Sequence, residues 1–126
     1  MKTKQISDAE LEVMKVLWRK SPLASPEIVR ETQKNNVWSV TTVVTLLGRL
    51  VKKGAVRQEG VRRAYLYTPI TSKDDYTETA AEIFKRNAFA GSAAELLSFF
   101  VKRDKLNKKD IGELKRYLDE LEKRSE

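Results

Sequence analysis

Thr41, Thr42 and Thr45, followed by Arg49, Lys52 and Lys53, recur at intervals that place all six on one side of a helix stepping 100° per residue. Val43, Leu46, Leu47 and Leu50 fall on the opposite side. Hydroxyls that donate and accept, followed by permanent cations, suit a partner that is polyanionic and presents polar edges. A second pair, Arg62 and Arg63, stands in the short turn Gly60-Val61-Arg62-Arg63. The planar guanidinium fork matches a phosphate. The chain has no histidine and no cysteine. Disulfides, thiol nucleophiles, imidazole bases and ordinary zinc or copper sites are thereby removed. Carboxylates and serines remain without their usual catalytic partners. The chemistry on offer is binding, and neither an enzyme nor a cofactor or metal is expected.

Charge distribution agrees. Residues 1–71 hold 13 Lys+Arg against 6 Asp+Glu, while residues 72–126 hold 12 of each, so the whole net charge of +7 lies in the N-terminal part. Phosphate contacts draw on such a surplus, because each neutralised phosphate releases counterions. A merely basic surface is the plainer reading of the charge taken alone.

The elements that must position these residues are legible. Ser7 and Glu10 form a capping box, with Ile6 and Leu11 at staple spacing, opening a helix that Ser21-Pro22 ends. Ser25 can cap a second helix with Pro26 at its first position, closing at Asn35-Asn36. Ser39 caps a third, which runs to Gly54. Its β-branched opening, Val40 to Thr45, could be misread as a strand, but period-2 alternation fails. Two strands, Ala55–Glu59 and Ala64–Thr68, then flank the arginine turn. Three helices and a hairpin in this order make a winged helix, whose third helix enters a DNA major groove. A solvated face on a core helix, and two solvated turn arginines, are the bland alternatives.

Beyond Pro69–Ser72 every signal is helical. Ser72 with Asp75, Ser92 with Glu95, and Asn107 each open a helix. Ile111, Leu114, Leu118 and Leu121 form a stripe on the last one. Together with Ile83, Phe84, Leu97, Phe99, Phe100 and Tyr117 they ask for cover that so short a segment cannot supply itself. A second copy of the chain or its own N-terminal domain could provide it. A homodimer also fits symmetric DNA recognition. The expected fold is mainly α: a winged helix-turn-helix domain, 1–71, and a three-helix dimerisation domain, 72–126. No run approaches the roughly 18 apolar residues of a membrane span. No apolar stretch at the N-terminus resembles a signal peptide. A cytoplasmic location is expected, with no membrane insertion.

Ile6-Ser7-Asp8-Ala9-Glu10-Leu11-Glu12-Val13-Met14, Trp38-Ser39, Thr45-Leu46-Leu47-Gly48-Arg49-Leu50-Val51-Lys52-Lys53-Gly54 and Tyr65-Leu66-Tyr67-Thr68-Pro69 resemble the BlaI/MecI/CopY family of bacterial repressors. The resemblance implies a homodimeric repressor that occupies inverted-repeat operators with TACA/TGTA cores in double-stranded DNA. In the β-lactam branch it implies relief by proteolysis downstream of a membrane sensor protease. In the copper branch it implies C-terminal cysteines, which this chain lacks. The β-lactam repressors read Trp-Ser-Pro-Lys-Thr-Ile-Arg-Thr where this chain reads Trp38-Ser39-Val40-Thr41-Thr42-Val43-Val44-Thr45. Thr42 and Thr45 match, whereas Thr41 and Val44 replace a lysine and an arginine. Ser39 and Val44 complete the candidate DNA-facing set. The Asn–Phe bond cut in those repressors aligns with Phe99-Phe100, both of which could equally be core. The alternative function is a winged helix that binds a protein or RNA partner.

Overall fold

The structure, a computed structural model, describes residues 5–125. The expectation about the extreme N-terminus lies largely outside the described residues. The chain divides into two compact units, Met1–Thr77 and Glu78–Glu126.

In the first unit, α1 spans Asp8–Arg19, β1 Leu23–Ala24, α2 Ser25–Gln33, α3 Val40–Lys53, β2 Val56–Glu59 and β3 Leu66–Pro69. The capping box that opens α1 is complete. The Glu10 N–H donates to Ser7 Oγ at 3.1 Å, and the Ser7 N–H donates to Glu10 Oε1 at 2.9 Å. Ile6 is buried beside the half-buried Leu11, as a staple requires. The start of α2 differs from the sequence reading by one residue. Ala24, not Ser25, is the N-cap, and no side chain caps the helix. Ala24 is held by β1 instead, and its N–H donates to Glu27 Oε1 at 3.4 Å. Pro26 still sits in the first turn, where a missing N–H costs nothing.

Strands β1, β3 and β2 form an antiparallel sheet in that order. Val56 pairs with Pro69 and Glu59 with Leu66, so β3 begins two residues later than expected and Pro69 belongs to it. Pro69 is tolerated as the strand's last residue, where no further ladder N–H is needed. At the hairpin, Gly60 has φ +110°, and a Cβ there would lie 2.9 Å from the Ala64 carbonyl oxygen. Only glycine fits that approach.

The core is made by Val13, Met14 and Leu17 of α1, Ile28 of α2, and Val43, Leu46, Leu47 and Leu50 of α3, closed by Leu23 and Val56 from the sheet. Trp18 flanks it. Its indole N–H donates to the Thr71 carbonyl at 2.9 Å, and its ring meets that of Tyr76 at 5.7 Å. Tyr76 is in the first turn of α4, which spans Lys73–Phe89. These contacts explain why the first unit runs past residue 71 to Thr77, inside α4.

The second unit holds the rest of α4, then α5, Ala93–Lys102, and α6, Lys108–Arg124. Ser92 and Asn107 cap α5 and α6. The box on α6 is reciprocal through Asp110, but on α5 only Ser92 Oγ accepts, from the Glu95 N–H at 3.1 Å. None of the three helices α4, α5 and α6 contains a fully buried residue.

Candidate nucleic-acid interface

Ser39 and Gly54 fix the two ends of α3. The Ser39 hydroxyl accepts from the Thr42 N–H at 3.1 Å and shares a second hydrogen bond with Thr42 Oγ1 at 3.0 Å. That contact uses one of the two hydroxyl protons, so the pair keeps a donor for an outside acceptor. Gly54, at φ +81°, lets the backbone turn back: the Ala55 N–H reaches the Leu50 carbonyl at 2.9 Å. Because Val43, Leu46, Leu47 and Leu50 are all buried, the orientation of the opposite face is set by the core. Thr41, Thr42, Thr45, Arg49 and Lys52 are exposed on it, as the sequence period predicts.

Lys53 does not belong with them. Its ammonium donates to the Gln5 carbonyl at 2.9 Å and to the Glu10 carboxylate, and Glu10 is only 2% exposed. Helical spacing put Lys53 at the edge of the polar face. The buried carboxylate of α1 draws it inward, so its charge is already neutralised and we remove it from the candidate DNA contacts. Burial pushes the Glu10 carboxyl up, but the Lys53 ammonium and the Ser7 N–H outweigh it and hold the group below its ordinary value of 4.5.

Arg62 and Arg63 are exposed at the hairpin tip, within the same compact unit as α3. Arg63 takes φ +75°, and the Ala64 N–H donates to the Val61 carbonyl at 2.8 Å, closing the turn. Three exposed apolar residues escaped the sequence reading or were underweighted by it. Val37, in the turn before α3, is fully exposed, Val40 is 57% exposed and Val44 44%. The helical wheel was the available signal. It sets Val40 and Val44 on the flank between the buried face and Thr41 and Thr45.

In the second unit the candidate pairing residues are brought out rather than covered. Phe84, Leu97, Ile111, Leu118 and Leu121 are exposed, and Ile83, Phe100 and Leu114 are half-buried. Phe89 meets Phe84 at 5.6 Å and Phe99 at 5.7 Å, edge to face. The Phe99–Phe100 bond lies inside α5, with the Arg103 guanidinium 4.7 Å over the Phe99 ring. No helix among the described residues is long and apolar enough to cross a membrane.

Comparison with known proteins decides the family. A family model described as penicillinase repressor matches residues 6–120. The chain belongs to the penicillinase repressor family. Members of this family are transcriptional repressors, DNA-binding regulators rather than enzymes. The chain is 38% identical to a penicillinase repressor of Bacillus licheniformis, over 98% of its own length and 96% of that protein. It is 33% identical to a penicillinase repressor of Staphylococcus aureus, over 95% of each. The solution structure of the DNA binding domain of the repressor BlaI matches 60% of the chain with 47% identity and a TM-score of 0.54. The monomeric form of Bacillus licheniformis BlaI, in complex with the blaP half-operator, matches the same share with a TM-score of 0.52.

Proposed function

We propose that this penicillinase repressor family member acts as a homodimer on an inverted-repeat operator. In this reading α3 reads base edges in the major groove, and Arg62 and Arg63 hold the backbone beside it. The observation that carries it is the face of α3. Hydroxyls at Thr41, Thr42 and Thr45, then Arg49 and Lys52, stand exposed on a helix whose other side is the core. The half-operator bound by monomeric BlaI, a relative at 47% identity, supports both the DNA target and its division into two halves.

Pairing is assigned to the second unit, through Ile83, Phe84, Leu97, Phe100, Ile111, Leu114, Leu118 and Leu121. Exposed apolar surface of this extent on α4–α6 fits an isologous contact between two copies. Relief of repression is assigned to proteolysis or another signal. For cleavage at Phe99-Phe100 by a sensor-protease system, α5 must first open locally, because a helical bond does not present the extended backbone a protease binds. The protein works in the cytoplasm in this reading.

Footprinting the full-length chain on the DNA upstream of its own coding sequence tests the proposal. Two protected half-sites related by a two-fold axis are expected, with affinity falling steeply as salt rises. No protection, together with binding to a protein or to RNA in place of DNA, would overturn it.

A further inference from the structure

The reading face of α3 carries no charge along its first two and a half turns. From Ser39 to Gly48 every residue is apolar, hydroxylated or glycine, and Arg49 is the first cation. Within that stretch Val40 and Val44 are 57% and 44% exposed. They stand four residues apart, stacked on one row of the helix. The row continues at Gly48, where an added Cβ would meet nothing within 4 Å. Single exposed valines are common on protein surfaces. Two in register, beside the exposed Thr41 and Thr45 near the start of a helix directed at DNA, are not explained by packing.

From these observations we infer that Val40 and Val44 determine operator specificity by contacting the C5-methyl groups of thymines in the major groove. The inference rests on the operator reading above. Valine offers neither donor nor acceptor. Set against the edge of a guanine, a cytosine or an adenine, it desolvates polar groups and returns no hydrogen bond. The thymine methyl is the one apolar group on the major-groove edges, and contact with it removes apolar area on both sides. Valine in a helix holds essentially one χ1 rotamer, so its methyls are fixed before DNA arrives. Gly48, at the end of the row, leaves room for the duplex to approach.

The test uses the full-length chain and duplexes enriched by it from a random pool. Each thymine of the enriched half-site is replaced in turn by deoxyuridine, which keeps every hydrogen-bonding group and lacks only the methyl. At one or more thymines the wild-type chain is expected to lose about fourfold in affinity per half-site, the worth of one buried methyl-sized group. In Val40→Ala or Val44→Ala the same thymine and deoxyuridine duplexes should bind equally. Both valines are exposed, so matching thermal melts will show that the variants fold. Wild-type indifference to every substitution would overturn the inference, as would the same deoxyuridine penalty persisting in both variants. Failure to enrich any duplex is a different result: it would remove the operator reading, and this inference with it.

Discussion

Lys53, on the last turn of α3, bonds to the carboxylate of Glu10, the third residue of α1. Glu10 thereby does two jobs. It completes the capping box with Ser7 and fastens the far end of α3 to α1. A buried carboxylate that lost this partner would keep an unmatched charge.

Lys53→Met should therefore destabilise the first unit by about 1.5–3 kcal/mol, the worth of a hydrogen bond to a charged group. It should leave the salt dependence of DNA binding unchanged, since the ammonium is already neutralised. Lys52→Ala should do the reverse: little change in stability, and a salt slope flatter by about one unit. Thermal melts and salt titrations on one duplex check both. A flattened slope in Lys53→Met would return Lys53 to the DNA-facing set.

The same pair sets an acid limit. The Glu10 carboxyl is held below its ordinary value of 4.5 in the folded chain, so the folded state binds fewer protons than the unfolded one as pH falls. Its stabilising contribution is complete above the unfolded value and is lost as pH drops through the folded one. Glu12 titrates in the same direction, held low by Lys15 and Asn36. Urea melts from about pH 7 down to about pH 3 should show stability falling in the acid range. Glu10→Gln should be less stable at neutral pH and show a shallower acid decline. A decline equally steep in this variant would place the titrating groups elsewhere.

Reading and clamping should separate by mutation. Thr45→Ala is expected to weaken operator binding by about 1–3 kcal/mol while sparing scrambled DNA. Arg62→Ala should weaken both by similar factors and flatten the salt slope by about one unit. Titrating both variants on operator and scrambled duplexes decides. The opposite pattern would exchange the roles of α3 and the hairpin tip.

Leu118→Asp places a charge in the exposed stripe of α6. If that stripe is the pairing surface, the charge is left unpaired against an apolar partner. Sedimentation should then shift from dimer towards monomer, with half-operator binding retained. An unshifted dimer would place the contact on another face.

Much of this was legible in the sequence because local chemistry and the core agreed. Ser7 with Glu10, Ser39 and Gly54 mark helix ends by hydrogen bonding within a turn, and the leucine period of α3 orients its outer face. What was missed depended on partners distant in the chain. β1 is two residues long, too short for any period, and exists because Leu23 and Ala24 pair with Tyr67 and Leu66. That pairing also moved the cap of α2 to Ala24. Lys53 looked like its neighbour Lys52 on the helical wheel, and only the buried Glu10 distinguishes them. Val40 was passed over because it stands on the flank between the two faces of α3, where the helical period alone assigns it to neither.

The lack of any fully buried residue in α4, α5 and α6 bears on how such a regulator would respond to its own abundance. With the pairing we propose, this half of the chain gains an interior only when two copies meet, so its folding free energy depends on concentration by mass action. Halving the number of molecules would then lower the paired fraction as well as the total. Operator occupancy would fall faster than linearly, and a modest loss of protein would act as a threshold. Solitary chains, with their apolar side open, would be the ones cellular proteases remove first. Scarcity would accelerate itself, and release of the controlled genes would be abrupt rather than graded.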